Sequence, residues 1–250
     1  MMIRRYKYAI PLLLILFLIG ACKKSEDRAC LKGIGDQTSI EMPLDSVRHF
    51  VLNKNIRYKI YQDTLNKIVI NGGSNMVNFI TVGNADHVLN INNENKCRFL
   101  RSQKDLVEVE IHYPFYDTFF MDVTDSVIFV DTIVTENLYV EMRDGGGSAK
   151  MNVRAYELGF IVSNGAADFT LGGRVTKAEL KVQNNGSANT ENLIIDEYVF
   201  IYQNSTANIL LNMNLNKALV VIDGSGDVIH IGNPNILIRE GLGTGEIIAL

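Results

Sequence analysis

Acidic and aromatic side chains crowd residues 113–131. Asp117, Asp122, Asp125 and Asp131 stand among Tyr113, Phe115, Tyr116, Phe119 and Phe120. Carboxylate oxygens suit a hard cation and aromatic faces suit a sugar ring. If the chain holds a ligand here, Tyr113, Tyr116, Asp117 and Asp122 are the candidate contacts. The competing reading is a strand pair whose rings fill the core while its aspartates stay solvated. That is the ordinary arrangement of such side chains, and it is the one favoured here.

The other chemistry-bearing groups are weaker. Ser225, Asp227 and His230 supply nucleophile, acid and base types within six residues, but a triad needs them to converge. On an extended strand, residues 227 and 230 point to opposite faces. Gly145-Gly146-Gly147 resembles a phosphate-cradling loop, yet no Lys-Ser/Thr follows it. His49, His87, His112 and His230 lack metal-ligand spacing. No catalytic residue, metal site or cofactor is therefore assigned.

The elements that must carry these groups are repetitive. A small-residue motif starts at Gly147, Gly165, Gly186, Ser205, Gly224 and Gly243, at spacings of 18, 21, 19, 19 and 19. Between the copies lie β-branched and aromatic runs such as Tyr198–Tyr202 and Ala218–Ile222. A period near 19 held in register predicts a parallel β-solenoid. Small residues would stack about 4.8 Å apart, with Asn164, Asn185 and Asn204 as an amide ladder at a bend. An antiparallel sandwich, with two strands per repeat, is the alternative.

Composition narrows the class. The 250 residues are 47% hydrophobic with a formal charge of −4 and no stripe of Lys and Arg, which argues against nucleic acid as a partner. The basic residues Arg4, Arg5 and Lys7 precede an apolar run, Ala9–Ile19, too short for a comfortable membrane span. Ile19-Gly20-Ala21-Cys22 resembles a bacterial lipobox. Residues 1–21 are then a signal peptide, Cys22 is the lipidated residue carrying acyl chains such as palmitate, and the anchor makes the membrane a partner. Lys23 stands where a retention aspartate would, which points to the outer membrane, on its periplasmic face or at the cell surface. Cys30 and Cys97 form the expected disulfide of an exported protein, worth roughly 4 kcal/mol in the chain-entropy model.

Residues 22–40 form a tether, and residues 41–250 one all-β domain. Its β-rich part, 41–135, carries one short helix capped by Ser74, and its regular coils of about 19 residues occupy 136–250. Gln62-Asp63-Thr64 is expected to turn between paired strands.

In residues 41–97 a succession of short motifs becomes specific: Leu44-Asp45-Ser46-Val47, Asn55-Ile56, Ile60-Tyr61-Gln62-Asp63, Ile68-Val69-Ile70, Met76-Val77, Leu89-Asn90-Ile91 and Asn92–Cys97. Their order, with the Gly-Ser-Gly repeats that follow, resembles the putative auto-transporter adhesin head GIN domain family over most of residues 40–245. Asn53-Lys54-Asn55 departs from a glycine expected there, and residues 115–131 match poorly. The resemblance implies an exported β-helical domain of undetermined activity. The expected function is non-catalytic binding of a glycan or an envelope protein. The alternatives are a carbohydrate lyase or hydrolase, and a scaffold that oligomerises through the edge strand Glu246–Leu250.

Overall fold

Each regular coil buries every second side chain of two short strands and turns between them on small residues. The computed structural model describes residues 33–96 and 105–250. The signal segment, Cys22 and the pair Cys30 and Cys97 lie outside the described residues.

In chain order the elements begin with β1 (Gln37–Pro43), β2 (His49–Leu52), β3 (Ile56–Gln62), β4 (Lys67–Gly73), a short helix α1 (Ser74–Val77), β5 (Ile80–Ala85), β6 (Val88–Asn93) and β7 (Val107–Tyr113). Next come β8 (Thr118–Met121), β9 (Ser126–Val134), β10 (Asn137–Met142) and three long strands that bend midway, β11 (Ser148–Val162), β12 (Asp168–Asn184) and β13 (Ser187–Ser205). The chain finishes with β14 (Ile209–Asn212), β15 (Lys217–Ile222), β16 (Val228–Ile231), β17 (Ile236–Glu240) and β18 (Ile247–Ala249).

These strands make one hydrogen-bonded system folded into two facing layers. The front layer runs β5, β6, β2, β8, β10, the second halves of β11, β12 and β13, then β15 and β17. The back layer runs β1, β4, β7, β3, β9, the first halves of β11, β12 and β13, then β14, β16 and β18. Beyond the antiparallel edge strands β5, β1 and β4, neighbours are parallel. The fold is the expected all-β parallel solenoid, with about 7 turns and little helix.

The core explains the register. Val140, Phe160, Leu180, Ile201 and Val220 stack in one inward column of the front layer. Ala149, Phe169, Ala188, Ile209 and Val228 do so at the back. All ten are buried, and the Phe160 and Phe169 rings meet across the core at 4.2 Å. Each large side chain so buried contributes roughly 1.5–3 kcal/mol, and a one-residue slip would turn its whole column outward.

Two small-residue columns run along the turn from front to back, two residues apart. A Cβ on Gly165 would stand 2.2 Å from the Gly145 carbonyl oxygen, and one on Gly226 would stand 2.0 Å from that of Ala207. Gly165 also has φ +88°, which disfavours any side chain. Gly147 stacks with Ala167 and not, as its motif suggested, with Gly165. Ser148 pairs with Asp168, and bulges after Thr170 and Val175 absorb the odd residues. The spacings of 18 and 21 arise from mixing the two columns. The amide ladder shifts likewise: Asn184 donates to Asn164 Oδ1 (3.4 Å) and Thr206 donates to Asn185 Oδ1 (3.0 Å).

The start is wound out of order. The coil β2–β3 lies between β6–β7 and β8–β9, although the chain makes it first. β7 therefore separates β3 from β4, and Gln62-Asp63-Thr64 does not close a hairpin. α1 is capped by Gly73 with no side-chain hydrogen bond, in place of the expected Ser74. Strand structure starts at Gln37, inside the stretch read as tether.

Candidate functional site

The four ligand candidates are distributed rather than gathered. Tyr116 is fully buried, and its hydroxyl donates to the carbonyls of Tyr61 (2.8 Å) and Ile111 (3.2 Å). Burial pushes that phenol well above its usual pKa. The Tyr113 hydroxyl accepts the Val47 N–H at 2.9 Å, and both rings pack on Phe50. These rings belong to the core of the interlaced start. Asp122 takes Arg143 in a two-pronged pair (2.8 and 3.2 Å), with the guanidinium 5.0 Å above the Phe120 ring. Asp122 also borders a small polar depression with Lys54 and Asp144, and Asp117 borders a larger groove.

The other chemical groups stay apart. His230 is buried with Nδ1 3.0 Å from the Gly232 carbonyl, Ser225 is exposed, and Asp227 Oδ1 accepts the Glu246 N–H. Among the described residues, no group of three or more His, Cys, Asp or Glu could hold a metal ion. The expected edge strand forms as β18, paired with β16.

The groove lies on the outward side of the front layer and measures about 740 Å³. It is built from two neighbouring outward columns. One is Tyr139, Gly159, Glu179 and Phe200; the other is Asn137, Glu157, Lys177 and Tyr198. Gly159 makes the depression. It presents no side chain, and a Cβ there would stand 3.1 Å from the Tyr139 ring. The groove draws on five successive front strands, but only on the first few residues of each front-layer segment. Its long dimension therefore follows the solenoid axis.

Cations hold the rings around it. Lys181 sits 5.7 Å from the centre of Phe200 and pairs with Glu179; Lys217 sits 6.0 Å from that of Tyr198. Lys177 lies 4.9 Å from the Tyr156 ring and 3.6 Å from Glu157. At exposed sites such contacts are weak, enough to bias a rotamer without supporting a fold. The Tyr139 hydroxyl donates to Glu141 at 3.3 Å, and burial, then Glu141, raises its pKa.

On the same coils the back layer carries mostly short or charged residues outward, Lys150, Asn152, Arg154, Thr170, Arg174 and Asn189, with Ile128 and Ile194 among the exposed apolar exceptions and no outward ring among the described residues. There Arg174 chelates Asp196 at 2.9–3.1 Å.

Apart from Asp117, the groove residues escape a reading by composition. A signal was present: Tyr198, Phe200 and Tyr202 alternate with Val199 and Ile201, and Gly159 interrupts a strand, often a mark of close approach.

The comparisons with known proteins agree with this architecture. The family model described as "Putative auto-transporter adhesin, head GIN domain" matches residues 49–234. Among solved structures, a putative adhesin from Bacteroides fragilis NCTC 9343 superposes with TM-score 0.73 at 19% identity, over 86% of this chain and 97% of that one. A putative lipid binding protein from Parabacteroides distasonis ATCC 8503 gives 0.64 at 13%, over 86% and 97%. A putative adhesin from the same organism gives 0.58 at 15%, over 86% and 98%. At these identities the likeness is one of fold. No curated protein matches the chain.

Proposed function

Starting from the fact that the chain belongs to the putative auto-transporter adhesin head GIN domain family, we propose that it is a non-catalytic binding protein of the cell envelope. In this reading it is exported, lipidated on Cys22 and held at the outer membrane, and the solenoid displays its front layer to a partner. The observation that carries it is the asymmetry of the coils. Rings and carboxylates gather around a side-chain-free floor at Gly159 on one layer, and neither core nor turns require them there.

Binding without chemistry suits this surface. A hydrolase needs an acid and a second carboxylate at set separations across the scissile bond. The front groove carries its acids beside stacked rings and lysines, with Glu157 near Lys177 and Glu179 paired to Lys181.

The test is a glycan and envelope-extract screen of the full-length chain in detergent, with product analysis on every polysaccharide retained. Retention without new reducing or unsaturated ends is expected; cleavage would replace the reading with a carbohydrate-active enzyme. The anchor is checked separately. Palmitate labelling in a Gram-negative host should mark the chain and vanish in Cys22→Ala, and labelling that survives the substitution would remove Cys22 from the account.

A further inference from the structure

We infer that the front groove takes an unbranched, neutral glycan strand laid along the solenoid axis. This rests on the binding reading given above and names the ligand class for that site.

Charge sets the sign of the ligand. Asp117, Glu157 and Glu179 line the groove, and the lysines around it are already engaged: Lys177 by Glu157 and the Tyr156 ring, Lys181 by Glu179 and the Phe200 ring, and Lys217 by the Tyr198 ring. A carboxylate is an acceptor only. A sugar hydroxyl supplies the donor it needs, whereas a uronate or sulfate meets the like charge of Asp117 and lysines already held by Glu157, Glu179 and the rings.

Rings set the chemistry. Tyr139 and Phe200 stand in one outward column, three coils apart. At about 4.8 Å per coil that is roughly 14 Å, too far for one sugar ring and suited to a short run of them. Their half-exposed faces offer flat apolar surface to C–H edges of sugars. Between them lie Gly159, which leaves the floor open, and Glu179, whose carboxylate is drawn to Lys181; a large side chain at Gly159 would divide the groove.

A peptide fits less well. Extended peptides gain affinity by hydrogen bonding to a free sheet edge, but the strands under the groove are paired on both sides. The floor is a sheet face with its main-chain groups already used.

The experiment is calorimetric titration of the full-length chain in detergent. The neutral probes are hexasaccharides of glucose, mannose, xylose and N-acetylglucosamine. Oligogalacturonate, heparin and a lysine-rich peptide serve as charged probes. At least one neutral hexasaccharide is expected to bind. Gly159→Trp should weaken it at least tenfold, and the double substitution Tyr139→Ala with Phe200→Ala, which cuts only outward rings, should do the same. Thr170→Trp on the back layer should leave affinity within twofold. A charged probe that binds in a Gly159→Trp-sensitive way, with no neutral one binding, overturns the neutral-glycan assignment and keeps the groove. Binding insensitive to both front substitutions, or no binding by any probe, overturns the assignment and the groove together.

Discussion

The front and back layers of the middle coils share one core, one set of turns and one parallel ladder, yet differ in what they show to solvent. The front carries Tyr139, Tyr198 and Phe200 around Gly159; the back carries Lys150, Thr170 and Asn189 at the corresponding outward level. Since the same inward columns support both, the outward difference is not needed to make the solenoid. It is the part of the sequence free to encode binding.

The sharpest way to break this comparison uses two adjacent residues. Phe160→Ala removes an inward ring with no exposed surface and should cost about 3–5 kcal/mol in urea unfolding. Its neighbour Gly159 faces outward, so Gly159→Trp should leave unfolding within about 1 kcal/mol while weakening groove binding at least tenfold. Equal loss of stability in both would mean that the front surface is structural.

Single ring removals come next. Tyr139→Ala and Phe200→Ala should each weaken a groove ligand by about 0.5–1.5 kcal/mol, or roughly 2- to 13-fold. Asn189→Ala at the back should change nothing in the same titration. On the back itself, Arg174→Ala removes an exposed ion pair with Asp196, and the expected stability change is small and shrinks with salt.

The smallest effect is with pH. The Tyr139 phenol is raised from 10.0 by burial and then by Glu141 and Glu179. A folded pKa above the unfolded one gives stability that is present below pH 10 and lost as pH rises through the folded value. Burial, the larger cause, penalises only the phenolate, so at neutral pH Tyr139→Phe should cost no more than its long hydrogen bond to Glu141. The wild type should fall behind that variant only in strongly alkaline solution, as equilibrium unfolding at both pH values would read.

Much of the fold is legible in residues 147–247, where the small-residue turns and β-branched runs repeat locally. Its register is not, because two small columns lie only two residues apart and bulges after Thr170 and Val175 shift the count. Nothing local announces that β2–β3 is clasped between β6–β7 and β8–β9, since those partners are distant in sequence. The site is harder still. Tyr113 and Tyr116 are core, while Tyr198 and Phe200 face out, and all four sit in apolar company. Parity alone leaves Tyr198-Val199-Phe200-Ile201-Tyr202 ambiguous; the pairing of Val199 with Ala178 and Ile201 with Leu180 decides which set turns inward.

Hydroxyl-radical footprinting of the full-length chain, with and without a retained glycan, tests the division of layers most directly. The expected result is protection at Tyr139, Tyr198 and Phe200, with Lys150, Thr170 and Asn189 unchanged. Protection on the back layer, or spread equally over both, would contradict the account.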